Sequence, residues 1–120
     1  MTALELKAIV DRMTALGVPQ HPRMFFGDIV SGRREWFIRD SRDNGDCASM
    51  SNADAVAIQT AWYREKLREL DPDATIHEQC GGYAVHRFPQ SRKPVEIFAL
   101  TPIAAITEAI EEATNEQKNS

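Results

Sequence analysis

The chain has 120 residues, 42% of them hydrophobic and 27% charged, with a net charge of −4 and a pI near 5.3. That length suits one globular domain, 1–120, with its own core, and the mild charge favours neither a strongly acidic nor a strongly basic partner. Two cysteines, Cys47 and Cys80, are too few for a disulfide scaffold, and no run approaches the roughly 18 apolar residues of a membrane span. The first residues, with Glu5 and Asp11 and no long apolar stretch, do not read as a signal peptide. A cytoplasmic protein with reduced thiols and no membrane contact is expected.

Thr2 and Glu5 have the spacing of a capping box. Leu6, Ile9, Val10, Met13 and Leu16 then form one helical stripe. Gly17 stands where a helix closes in left-handed dihedrals, with Val18 placed to pack back on Met13. Pro19 and Pro22 prevent continuation.

Met24 to Val30 alternates as a strand, with Phe25 and Ile29 on one side and Phe26 and Val30 on the other. Ser31-Gly32 supplies a turn, and Glu35 to Asp40 returns with Trp36 and Ile38 opposite Phe37 and Arg39. Residues Asp40 to Asn52 read as a polar loop bent at Asn44-Gly45.

A second helix is expected from Ser51 or Asn52 to Leu70, with Asp54 favourable at its positive end and Asp71-Pro72 as its stop. At about 100° per residue, Val56, Tyr63, Leu67 and Leu70 share one face. Ile58 and Trp62, with Ala55, lie on another, and Arg64 and Arg68 on neither.

Thr75 to Cys80 and Tyr83 to Phe88 flank Gly81-Gly82, a pair suited to a two-residue primed turn. That turn sets Cys80 opposite Tyr83 and His77 opposite His86. Ile76, Cys80, Tyr83 and Val85 would then face the core, and His77, Gln79, Ala84, His86 and Phe88 the other way. After a loop from Pro89 to Pro94, Val95 to Leu100 is a further strand. Thr101-Pro102 opens a last helix with Ile103, Ile106, Ile110 and Ala113 inward, and residues 116–120 are expected to fray. The pattern predicts a two-layer α+β fold in the order α-β-β-α-β-β-β-α, an antiparallel sheet of about five strands with helices mainly on one face. The hairpin-then-helix halves hint at a duplication that residue similarity does not support.

No complete catalytic motif stands out. Two histidines fall short of the four ligands of a structural zinc site. The loop Asp40 to Asp46 misses the EF-hand pattern, with Arg42 where an oxygen is needed and Ser51 where the bidentate glutamate belongs. Neither cysteine has an assignable base or orienting group, and Gly81-Gly82 lacks the lysine and helix of a phosphate loop. No catalytic residue, metal ligand or cofactor is therefore assigned.

Three surfaces could serve a partner. The first hairpin combines Arg23, Arg33, Arg34, Arg39 and Arg42 with Phe25, Phe26, Trp36 and Phe37, a mixture suited to phosphate contact and base stacking. Asp28, Glu35 and Asp40 dilute it, whereas Glu108, Glu111, Glu112 and Glu116 crowd the last helix. Ile58 and Trp62 form an apolar patch of the kind that partners cover. His77 and His86 mark an open sheet face. The sequence reads as a small non-enzymatic protein-binding module, expected as a homodimer, of a kind that would suit an accessory or inhibitor protein of a phage or mobile element. The candidate partner-binding residues are Ile58, Trp62, Arg33, Arg34, Arg39, His77 and His86. A nucleic-acid-binding protein using residues 23–42 is the alternative, and a small metal- or thiol-dependent enzyme a third.

Overall fold

The computed structural model describes residues 1–28, 34–39, 47–88 and 93–118. Its elements are α1 (Ala3–Ala15), β1 (Met24–Asp28), β2 (Arg34–Arg39), β3 (Cys47–Ser49), α2 (Asn52–Leu70), β4 (Thr75–Gln79), β5 (Gly82–Arg87), β6 (Val95–Ala99) and α3 (Pro102–Lys118). The class is α+β, but the strands form two three-stranded antiparallel sheets, β1-β2-β3 and β4-β5-β6, instead of one sheet of about five. The order is α-β-β-β-α-β-β-β-α rather than α-β-β-α-β-β-β-α. The strand missing from the sequence reading is β3. All three of its residues are exposed, so no alternation of apolar side chains marks it, and pairing with the end of β2 creates it. Internal contacts divide the chain into two compact units, Met1–Gln59 and Thr60–Ser120.

In the first unit, Thr2 Oγ1 accepts the Glu5 N–H at 3.1 Å and opens α1. Gly17, at φ 90, closes it. The Val18 N–H reaches the Met13 carbonyl and the Gly17 N–H the Thr14 carbonyl, the paired bonds of a Schellman cap. Leu6, Val10 and Met13 are buried. α1 lies against β2, and Trp36, itself buried, donates its indole N–H to the Ala3 carbonyl at 3.2 Å. β1 and β2 pair Phe25 with Phe37 and Phe26 with Trp36, so each sheet face carries its own aromatic pair. Ile29, Val30 and the Ser31-Gly32 turn lie outside the described residues, as does the loop from Asp40 to Asp46.

Ser51 caps α2 by accepting the Asp54 N–H at 3.1 Å. Its buried stripe is Ala55, Gln59, Tyr63 and Leu67, spaced four apart. Ala55 and Gln59 thus take the places expected of Val56 and Leu70, which are half-buried.

In the second unit, α3 packs on β5 and β6. Thr101 Oγ1 accepts the Ala104 N–H at 3.3 Å, and Ile103, Ile106, Ile110 and Ala113 are buried as expected. α3 runs to Lys118. Its last turns are held by Arg87, which is 4% exposed. The Arg87 guanidinium donates Nε–H to Asp71 Oδ2 at 3.1 Å and an Nη1–H to Glu116 Oε2 at 3.3 Å, and lies 3.7 Å from Glu112. Asp71, read from sequence only as a helix stop, also accepts the Asp73 N–H. It joins the end of α2 to β5.

Candidate interaction surfaces

The second sheet has one face toward α3 and one open face. Its register pairs Gln79 with Gly82, Glu78 with Tyr83, His77 with Ala84 and Thr75 with His86. The central turn residues are therefore Cys80 and Gly81, at φ 49 and φ 78, and not Gly81-Gly82. This corrects the expected pairing of His77 with His86 and of Cys80 with Tyr83. The cause lies on the neighbouring strand. A Cβ on Gly82 would stand 2.5 Å from the Phe98 ring and 2.7 Å from the Ala99 carbonyl oxygen. Gly82 is needed inside the ladder beneath Phe98, and the turn moves one residue back. Cys80 then takes a left-handed conformation that costs about 1–2 kcal/mol for a non-glycine residue. Cys80 sits exposed in the turn, not on the core face.

The slip moves the pairing by two positions, which preserves the faces. Ile76, Tyr83 and Val85 pair across with Ile97 and Ala99, on the face where Val85 is fully buried. His77, Ala84, His86, Glu96 and Phe98 occupy the open face. His77 and His86 are diagonal rather than opposite neighbours, yet their rings still meet edge to face, 5.2 Å between centroids. Each has another polar neighbour. Thr75 Oγ1 lies 3.1 Å from His77 Nε2, and Glu96 Oε2 lies 3.7 Å from His86 Nε2. Among the described residues no three of His, Cys, Asp and Glu gather as a metal-ligand set. The same face also exposes apolar side chains: Phe98 is 46% exposed, and Phe88 and Leu100, of the same alternation just past the strand ends, are 48% and 77% exposed.

At the free edge of β4 a groove of about 290 Å³ opens. Arg64, Leu67 and Arg68 of α2 line one wall, the consecutive residues Thr75, Ile76 and His77 line the other, and Ile106 of α3 adds to the floor. Consecutive strand residues share a wall only along an edge, because their side chains alternate between faces. Arg64 and Arg68 make no hydrogen bond or ion pair among the described residues.

The first sheet carries a second, different surface. Phe25 and Phe37 stack at 5.4 Å and 16°, and the Arg39 guanidinium lies 4.9 Å above Phe25. Arg23 donates Nε–H to the Arg39 carbonyl at 2.9 Å, and Ser49 donates to Glu35 at 2.6 Å. Arg34 is exposed and borders a shallow basin with Ser49, Ser51 and Asn52. Arg33 and Arg42 lie outside the described residues. Phe26 and Trp36 tilt together on the opposite face, so the aromatics divide between the two sides.

Ile58 and Trp62 are each half-buried. The Lys66 ammonium caps the Trp62 ring at 4.3 Å, which removes part of the indole from solvent. The exposed large apolar side chains of the second unit are Phe98, Phe88 and Leu100; the sequence reading placed Phe88 on the open sheet face and assigned Phe98 and Leu100 to neither face. The signal was present: Phe98 and Leu100 share a parity with Glu96, and His86 and Phe88 share theirs with Ala84. Arg87 was also passed over, although an arginine on the core parity of a strand calls for carboxylates, and the last helix offered Glu112 and Glu116 four residues apart.

Comparison of the chain with models of known families, with curated proteins and with solved structures finds no match in any of the three. No described helix is long and apolar enough to cross a membrane.

Proposed function

We propose that this protein is a non-enzymatic binding module that acts by protein–protein contact through the open face of its second sheet. The observation that carries the reading is the exposure of Phe98, Phe88 and Leu100, each about half exposed or more, in the strand alternation that also carries the His77/His86 pair. Aromatic side chains set among polar neighbours bring large contact area at low entropic cost and are enriched where partners dock. The scatter of titratable groups supports a binding role over a catalytic one, since acid–base chemistry needs such groups converging in one cleft.

The test is photo-crosslinking from a benzoyl-phenylalanine placed at Phe98, with a second copy of the probe at exposed Leu4 as control. A discrete crosslinked protein from position 98 alone is expected. It would be a second copy of the chain if the module is a homodimer. No adduct from position 98, or the same adducts from both positions, would overturn the reading.

A nucleic-acid role has one observation in its favour: the stacked Phe25 and Phe37 with Arg39 across them. It requires single-strand binding that weakens steeply with salt and with Arg39→Ala.

A further inference from the structure

We infer that the groove between α2 and the free edge of β4 takes an extended acidic segment of a protein partner, which joins the second sheet as a fourth strand beyond β4. The inference rests on the protein-binding reading and assigns a ligand chemistry to a surface next to the open face.

Three observations converge. First, among the described residues β4 ends the sheet order β4-β5-β6 and pairs on one side only. In an antiparallel ladder alternate residues turn their N–H and C=O outward, so an edge strand offers a row of unpaired backbone groups. Second, the groove runs along that edge, with Thr75, Ile76 and His77 in succession on its wall. Third, its helix wall carries two cations, Arg64 and Arg68, with no counter-charge among the described residues, over a floor of Leu67, Ile76 and Ile106.

The spacing suits a strand. Arg64 and Arg68 are i and i+4 on α2, which places their Cβ atoms about 5–6 Å apart. Side chains on one side of a strand recur every two residues, about 6.6–6.8 Å. Two carboxylates separated by one residue therefore meet the two guanidinium groups, and each can form a bidentate, charge-assisted pair. Apolar side chains of the same alternation reach the floor.

A long polyanion fits less well. The two cations of the lining, Arg64 and Arg68, give a phosphate backbone only two point contacts. A peptide also satisfies the strand edge, which a nucleic acid does not.

The experiment uses the full chain and fluorescence anisotropy, with a labelled peptide that alternates Asp and Val as probe. Three comparison ligands are the Lys-Val counterpart, the Asp-Val peptide N-methylated on alternate amides, and a single-stranded oligonucleotide. The Asp-Val peptide is expected to bind, and Arg64→Glu/Arg68→Glu to weaken it by at least about tenfold. The same variant is expected to bind the Lys-Val peptide instead, a gain that misfolding cannot produce. N-methylation is expected to abolish binding. No binding of the Asp-Val peptide, equal binding of its N-methylated form, or binding of the oligonucleotide alone would each overturn the inference. If the groove fails while the crosslink from Phe98 persists, the protein-binding reading stands without it. If the crosslink fails while the charge-swapped peptide binds, the edge is the docking surface and the open face is not.

Discussion

Single atoms decide much of this fold. Gly82 has no space for a Cβ, with the Phe98 ring at 2.5 Å and backbone oxygen at 2.7 Å. Gly81 has open space but a φ of 78. The two glycines are therefore needed for different reasons. Gly81→Ala is expected to cost about 1–2 kcal/mol from backbone strain. Gly82→Ala is expected to cost about 2–3 kcal/mol from overpacking, and Phe98→Ala should recover part of the second loss and none of the first. Thermal unfolding of the three single variants and of the two double variants that add Phe98→Ala checks this. Gln59 offers the opposite case: it is 1% exposed and its Oε1 has no hydrogen-bond partner among the described residues. Gln59→Leu keeps the volume and removes the orphan acceptor, so denaturant unfolding should show a gain of about 1 kcal/mol. His21 is held below the ordinary histidine pKa by partial burial and then by the positive charge of Arg23, and its Nδ1 accepts the Arg23 N–H at 3.1 Å. The unfolded chain therefore binds this proton more readily than the native one. Stability from the neutral ring is present above about pH 7 and is lost as pH falls through about 6.5 toward the lower native value. A His21→Gln variant should lose less melting temperature than the parent between about pH 7 and pH 5.

At the level of elements, helices were legible in the sequence and sheet organisation was not. The ends of α1 could be read because caps are local: Thr2, Glu5, Gly17 and Val18 hold all the information. The start of α3 at Thr101-Pro102 was legible for the same reason. β3 was hidden because Cys47, Ala48 and Ser49 carry no pattern of their own and gain strand geometry only from β2. The turn of the second hairpin was misplaced because its position depends on Phe98, sixteen residues beyond Gly82 and on another strand. The faces survived that error because side-chain alternation has a period of two. The placement of His77 and His86 on one sheet face was legible, whereas the place of Phe98 and the arginine groove needed the strand order. The end of α3 shows the same dependence. It stays helical because Arg87 binds Glu116 and approaches Glu112 from β5. Arg87→Met leaves Asp71 buried without its cation and is expected to cost roughly 3–5 kcal/mol. Glu116→Gln, at the half-exposed end, should cost less than about 1 kcal/mol and should speed amide exchange only in the last turn of α3.

At the scale of the whole molecule, the two sheets share a plan that the sequence did not declare: each is three antiparallel strands in sequence order. Every strand pairs with its neighbour in the chain, so each sheet closes through short connections and small losses of chain entropy. This has a kinetic meaning. Proteins whose pairings are local reach their transition states quickly, because no distant segment must be found first. Refolding from urea, followed by Trp fluorescence, is expected to be complete within milliseconds to tens of milliseconds. Consecutive pairing also lets each sheet assemble as its own residues leave the ribosome, strand by strand, so the exposed edge of a half-made sheet is brief and the opportunity for aggregation through it is small.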